Sequence, residues 1–432
     1  MSMDIIISVV ICLLSLAAAY IFVPTNKYKN AYILLAFIAV LIRIAIVSYL
    51  YSNGTDTFGT DGLLYHQEGI NVAHQLDEGV IFYAVKYSYT WYTVFIGLIY
   101  HWFGIDRYII SYINIGFTIF AAVLLLKMAL NHKYQFKNAA FISLIFLYFP
   151  NLFLWTADSR KEALLILICF LCWHSVQCFI LDVEQKKRVT VTCIIRIVFV
   201  CLLLWLCTLI RIYMFAPLAT GIIISQFLLY KKSRARLSVV FAIAVFISSF
   251  IIFIATVNPL TRDYHAVSFP KEQAVSMTDD VNAKVETIKT IASSRNIILS
   301  IVNYLMLPYP GNVDIADIQG RSKVELIVSL DIIAWYVCLL LMLTGIYSTL
   351  KRKDSCFIGL LAFLASYIFI NALVVENVAD TIYRYRSVII GTSLLFIDWD
   401  VLKSLFAHFD GKVKIKAGNV KTDAVSVYSI KH

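Results

Sequence analysis

Apolar residues in this chain fall into unbroken runs near twenty residues long, divided by short polar stretches, and the runs recur from one end to the other. Wound as a helix at 1.5 Å per residue, such a run crosses about 30 Å of hydrocarbon. The pattern predicts eleven spans, near 4–23, 31–51, 108–128, 138–155, 162–181, 190–209, 213–230, 237–257, 324–349, 356–375 and 386–402. The short alternating segments of a membrane β-barrel are missing from the pattern, so the fold class is an all-α polytopic membrane protein with about eleven transmembrane helices. The segment "WYTVFIGLIYHWFG", 91–104, is apolar but short and rich in Trp and Tyr. It is expected to lie at the interface rather than to span. "NIILSIVNYLMLPYPG", 296–311, reads as a second surface-lying segment.

Composition agrees with the pattern. Of 432 residues, 60% are hydrophobic and 15% charged, and mean hydropathy is +0.80. Soluble domains carry about 45–50% apolar and about 25% charged residues. The net charge of +10 would suggest a polyanionic partner if it were spread over a surface, but its placement argues against nucleic acid. Basic residues cluster in the short connections "NKYKN", "NHKYQFK", "EQKKR", "KKSRAR" and "KRKDS". This is the signature of cytoplasmic loops, so the charge reports orientation. The stretches 52–107, 156–161, 258–323 and 376–385 then face outward, and residues 403–432 form a cytoplasmic tail behind a single transmembrane domain, 1–402. All nine cysteines lie within or beside apolar runs, which predicts neither disulfides nor a cysteine metal site. The first run has Asp4 ahead of it and no small-residue cleavage site, so it reads as a retained helix.

Chemistry concentrates at the outward stretches. In "TFGTDGLLYHQEG", 57–69, Thr60 can cap a helix whose first turn holds Asp61 and which Gly79 closes. Leu63, Ile70, Ala73, Leu76 and Val80 then form one stripe of an amphipathic helix, with Tyr65 and Glu68 near the side carrying Asp61. A helix start favours an ionised carboxylate, and such a group can take a proton from a hydroxyl or help to hold a divalent cation. It can equally be a good first-turn residue on a solvated helix. "PNLFLWTADSRKE", 150–162, packs Asp158, Arg160, Lys161 and Glu162 into a tight turn between apolar spans. Charges there cost desolvation and usually pair or serve a site. "ENVADTIYRYRS", 376–387, places Arg384 and Arg386 at the mouth of the last span, and Arg43 and Arg211 sit within or beside spans. Arginines at headgroup depth grip phosphate bidentately, although each alone could simply snorkel. Taken together, the three clusters predict one pocket in which carboxylates handle a sugar or hydroxyl and arginines hold a phosphate.

In layout the chain resembles the membrane-embedded GT-C glycosyltransferases, in particular bacterial relatives of protein O-mannosyltransferases and aminoarabinose transferases. The resemblance lies in "GTDGLLYHQEGINVAHQL" after a span and in the interfacial "WYTVFIGLIYHWFGIDRYIISYIN". It continues in the short acidic second loop with Asp158, and in "YRYRSVIIGTSLLF" near the end. Asp61 and Asp158 are 97 positions apart, similar to that family's two acidic positions. The chain departs from the family in its extra first span, in a second loop reading Asp-Ser-Arg-Lys-Glu rather than a paired-acid motif, and in lacking a large C-terminal soluble domain.

The resemblance implies a polyprenyl-phosphate-linked sugar as donor and a glycan, lipid or protein hydroxyl as acceptor, at the outer face of a bacterial inner or plasma membrane. It implies that Asp61 acts as general base in an inverting transfer. Arg384 and Arg386, with Arg211 or Lys161, would stabilise the departing phosphate. Asp158 and Glu162 would orient the acceptor or share a divalent cation with Asp61. Tyr65, His66 and Glu68 would line the substrate site, His66 either seconding Asp61 or serving as a hydrogen-bonded neighbour. Two other readings stay open. A polysaccharide polymerase or O-antigen ligase would use Arg262, His265, Arg295 and Arg321 of the late loop. A transporter would place its charges at mid-membrane, as only Arg43 suggests.

Overall fold

The structure, a computed structural model, describes residues 3–52, 60–81, 85, 91–186, 190–257, 297–306, 321–374, 379–399, 401 and 403–404. The late loop and the C-terminal tail expected from sequence therefore lie almost wholly outside the described residues. Fifteen α-helices are described: α1 Met3–Phe22, α2 Lys29–Ser52, α3 Thr60–Asp77, α4 Trp91–Phe103, α5 Arg107–Asn131, α6 Phe136–Tyr148, α7 Pro150–Ala157 and α8 Glu162–Lys186. After these come α9 Val191–Ile210, α10 Phe215–Ser233, α11 Arg236–Val257, α12 Ile297–Met306, α13 Arg321–Arg352, α14 Ser355–Val374 and α15 Ala379–Leu394. The protein is a polytopic helical membrane protein.

The span count differs from the sequence pattern. By length and composition six helices among the described residues can cross a membrane: Lys29–Tyr49, Arg107–Asn131, Glu162–Glu184, Val191–Ile210, Ser329–Arg352 and Ser355–Leu373. The bent pair α6–α7 makes a seventh if counted as one span. The run at 213–230 becomes α10, whose Ser225 and Gln226 are buried inside the bundle. The run expected at 386–402 instead starts at Ala379 and ends at Leu394, so the Arg-Tyr-Arg sequence sits within a helix rather than in a mouth loop. The segment 91–104 is a helix of 13 residues, about 20 Å long, too short to cross.

The helices alternate so that the turns after α5, α10 and α13 share one end of the bundle, the end carrying Lys133, Lys231, Lys232, Arg234, Lys351, Arg352 and Lys353. The turn between α7 and α8, the end of α9 and the start of α15 gather at the other end. Lys133, Arg234 and Lys353 have positive φ (67°, 56° and 52°), each just past the end of a helix, a place that glycine or asparagine usually fills. α10 and α14 cross at Gly221 and Gly359: a Cβ on either would lie 2.6 Å from the carbonyl oxygen of the other. Small residues of this kind allow membrane helices to approach closely enough to gain dispersion contact. Large apolar side chains on α9, among them Ile195, Val198, Leu202 and Trp205, stay exposed, as expected where lipid rather than water is the neighbour.

The break between α6 and α7 has a chemical cause and a charged repair. Pro150 has no N–H and disfavours helix at Phe149, so the two helices meet at 56°. In a continuous helix Asn151 would donate to Leu147. Here Leu147 O accepts from Arg43 Nη2 at 2.7 Å, and Asn151 N donates to Asp331 Oδ1 at 2.8 Å. Arg43 also donates to Ala39 O at 3.3 Å, and its guanidinium lies 4.3 Å from the Phe153 ring centre. The buried Arg43 inside a span thus finds its partner in a broken helix rather than in an acid.

Candidate active site

At the end away from the basic turns, α3 and α4 form a hairpin laid over the turn 158–161. They cross at glycines: a Cβ on Gly69 would lie 2.4 Å from Ile96 Cγ2, and one on Gly97 2.2 Å from Val72 Cγ1. The close crossing buries Tyr65, Tyr92 and Tyr100 between them, with Tyr65 edge-on to Tyr92 at 5.5 Å. His66 Nδ1 is 2.8 Å from Tyr100 Oη, so its ring is held by a neighbour in the hairpin. Glu68 is half-buried one turn beyond Tyr65. Asp61 lies in the first turn of α3, and its side chain is outside the described residues, but the backbone next to it is placed. Gly62 O accepts from Ser159 Oγ at 3.4 Å, which brings the start of α3 onto the 158–161 turn.

That turn is almost completely buried, charges included. Asp158 accepts from its neighbour's amide, Ser159 N, at 2.7 Å and from Arg160 Nε at 3.0 Å. Arg160 in turn lies 4.4 Å from the ring centre of Trp155. Asn114, in the outer part of α5, donates to Asp158 O at 2.6 Å and to Arg160 O at 2.8 Å. Tyr92 donates to Arg160 O at 2.8 Å, and burial pushes its phenol pKa well up, so it remains a donor. Lys161 Nζ sits 5.4 Å from the Tyr65 ring centre. The carbonyls a tight turn would orphan are thus met by side chains from two other helices, which is how so polar a turn survives burial.

From this turn a charged line runs across the bundle. Glu162 Oε1, in the first turn of α8, accepts from Arg211 Nη2 at 3.1 Å. Arg211 is the extended residue between α9 and the short 3-10 turn Ile212–Met214. Its guanidinium lies 4.3 Å from the Tyr385 ring centre and 5.5 Å from that of Tyr213. Burial disfavours the Arg211 charge, but Tyr213, Tyr385 and Glu162 around it outweigh that, and its pKa stays above the ordinary guanidinium range. One residue on from Tyr385, Arg386 is wholly buried, donates to Tyr304 O at 2.9 Å and faces the Trp335 ring at 5.3 Å. The Tyr385 carbonyl accepts from Tyr367 Oη at 3.0 Å. Arg211 Nη1 and Tyr304 Oη are among the buried polar atoms of this region with no hydrogen-bond partner among the described residues.

The structure therefore brings together the start of α3, Asp158, Lys161, Glu162, Arg211 and Arg386 in one connected region. It sets His66 into the hairpin instead, and the Arg384 side chain lies outside the described residues. Tyr92, Asn114, Tyr213, Tyr304 and Tyr367 belong to the region and were not singled out from sequence. Asn114 carried a signal, an amide inside an apolar run, which at membrane depth implies a specific partner. The tyrosines carried none, being one kind among 26.

No protein-family model and no curated protein sequence matches the chain. Among solved structures it is similar to the archaeal oligosaccharyltransferase AglB from Archaeoglobus fulgidus, in complex with an inhibitory peptide and a dolichol-phosphate. Identity is 12% and the TM-score 0.54, over 91% of this chain and 53% of that one, so the chain spans about half the length of this neighbour. At that identity the likeness establishes the fold, which is GT-C-like. The O-mannosyltransferase type expected from sequence is a finer distinction than the likeness reaches.

Proposed function

We propose that the chain is a membrane glycosyltransferase that moves a sugar from a polyprenyl-phosphate-linked donor to a hydroxyl of a glycan, lipid or protein acceptor. The site would lie at the face opposite the basic turns, the outer face of a bacterial cell membrane. The observation that carries this reading is the buried line from Asp158 through Glu162 and Arg211 to Tyr385 and Arg386, within a fold shared with an oligosaccharyltransferase. A lipid-carried sugar cannot leave the bilayer, so its transferase needs cationic donors at the membrane face and not in open water. Arg211 Nη1 and Tyr304 Oη, buried and without a hydrogen-bond partner among the described residues, would both gain an acceptor in a phosphate oxygen.

In the proposed reaction the acceptor oxygen attacks the anomeric carbon from the side opposite the phosphate. Asp61 takes the hydroxyl proton, the carbon–oxygen bond to the phosphate breaks, and the electron pair leaves with the phosphate as the sugar inverts. Arg211 and Arg386, with Arg384 and Lys161, stabilise that leaving charge, a kind of electrostatic help that is often the largest catalytic contribution. Tyr65 and Glu68 line the acceptor side. Asp158 has both carboxylate oxygens engaged, one by Ser159 N and one by Arg160, so it acts by shaping the turn that aims Lys161 and Glu162. A divalent cation shared with Asp61 would have to share Asp158 with the Arg160 guanidinium on its Oδ2.

The test is transfer of radiolabelled sugar from polyprenyl-phosphate donors to envelope acceptors by the purified chain in nanodiscs, with Asp61→Asn and Arg211→Gln alongside. Each variant is expected to lose about 10²-fold or more. Undiminished transfer by Asp61→Asn removes Asp61 from the base role. Activity only on lipid-pyrophosphate-linked glycans, retained in Asp61→Asn, makes the chain a polymerase or ligase instead.

A further inference from the structure

At the opposite end of the bundle the turn between α5 and α6, the ends of α8 and α10 and the turn between α13 and α14 enclose a cavity of about 240 Å³. We propose that it is a binding site for the phosphodiester headgroup of an anionic membrane lipid. The proposal is independent of the sugar-transfer reading, because the two sites lie at opposite ends of the same helices.

Depth comes first. Asn131, Glu184 and Arg352 are the residues at which three membrane spans end, and all three line the cavity. It therefore opens where lipid phosphates lie, not in the hydrocarbon and not out in solvent. Charge comes second. Lys133, Lys232 and Arg352 line it with His132 against Glu184 and Asp354, so cationic groups outnumber acids on the wall. A wall richer in cations than in acids suits an anionic headgroup.

Both acids are already engaged. Asp354 accepts from the amides of Cys356 and Phe357 at 3.0 and 3.1 Å and pairs with His132 at 3.1 Å, and Glu184 pairs with Lys232 at 2.8 Å. Arg352 reaches Asp398 at 3.1 Å through Nη2. Lys133 is exposed at its turn. Gln177 adds an amide to the wall, its own NH2 spent on Met128 O at 3.0 Å. Size comes third: pockets for drug-sized ligands start near about 300 Å³, so this one suits a headgroup phosphate with its glycerol and not a nucleotide. Basic pockets between membrane helices on the cytoplasmic side hold anionic headgroups by this combination of depth and charge.

The experiment uses the full chain in phosphatidylcholine micelles titrated with phosphatidylglycerol, bound lipid being counted by native mass spectrometry and stability followed by melting temperature. Wild type is expected to retain phosphatidylglycerol and to melt higher with it, since a ligand that binds only the folded form stabilises it. Lys133→Gln with Lys232→Gln should weaken retention about 20- to 30-fold, at about fivefold per lysine near a membrane surface. Lys133→Arg with Lys232→Arg should restore it, which excludes misfolding as the cause. Lys231→Gln with Arg236→Gln, at the same end but outside the cavity wall, should leave retention unchanged. Equal loss in the two glutamine pairs, or equal retention of phosphatidylcholine and phosphatidylglycerol by wild type, overturns the site. Displacement of the lipid by millimolar glycerol phosphate overturns the lipid assignment and makes the ligand a soluble phosphate ester.

Discussion

If Arg43 and Asp331 stand in for one broken backbone hydrogen bond, their worth must depend on the residue that broke it. Asp331→Leu would leave the buried Asn151 N–H without its acceptor at 2.8 Å, and Arg43→Met would leave Leu147 O without its donor at 2.7 Å. A hydrogen bond to a charged group contributes about 1.5–3 kcal/mol, and an orphaned buried backbone group costs about 1–3. Removing the ion also recovers part of its desolvation cost. The net expectation is about 2 kcal/mol for each variant, about 30-fold in the unfolding equilibrium. In a Pro150→Ala background the chain regains an N–H at this position and loses the ring clash, so Asn151 N can turn toward Leu147 O. Each variant should then cost only about half as much, about 1 kcal/mol. The assay is reversible unfolding in mixed SDS micelles, followed by tryptophan fluorescence, across the six combinations. The same cost with and without the Pro150→Ala change would refute the argument and reduce the two residues to ordinary packing.

Glu162→Gln should destabilise the chain by about 2–3 kcal/mol, because Arg211 stays buried without its carboxylate, and should lower sugar transfer at least tenfold; unchanged transfer would detach the pair from the reaction. Gly359→Val should cost about 1–3 kcal/mol or more, since even a Cβ meets Gly221 O at 2.6 Å, and a melting temperature within error of wild type would show that α10 and α14 can part freely. For Asp354, burial raises the carboxyl pKa, but His132 and the amides of Cys356 and Phe357 outweigh burial and hold it below its usual value. A depressed folded value means stabilisation present above about pH 4, the ordinary carboxylate pKa, and lost as pH falls through the folded value. Asp354→Asn should therefore lower stability at neutral pH and flatten the acid side of the stability profile, and parallel profiles for the two forms would count against the pair.

Much of the helical layout was legible because lipid imposes it. A backbone amide in hydrocarbon needs a partner inside the protein, and an unbroken apolar run such as 107–131 or 191–210 meets that need by winding into a helix, so its edges show in hydropathy alone. The basic connections were equally legible, because charge placement follows membrane sidedness and needs no tertiary contact. The limits showed where neighbours decide. α10 reads like the other apolar runs, yet the structure sets it in the bundle interior against α14. The last run was misplaced by several residues because Arg384 and Arg386 look like a loop until Trp335 and the Tyr304 carbonyl are there to receive a buried guanidinium.

The acidic and arginine clusters at 61, 158 and 386 could be picked out from the sequence, since ionisable groups beside spans are expensive. What the sequence could not supply was pairing: that Arg211 belongs to Glu162, that His66 is spent on Tyr100, and that Arg43 serves a broken helix rather than an acid. By itself the sequence determined that this is a many-helix membrane protein with its basic turns on one side, since both properties follow from how single segments partition between water and lipid. Only the tertiary structure decided which charges are neighbours, because a buried charge is settled by partners many residues away in the chain, and no local pattern records them.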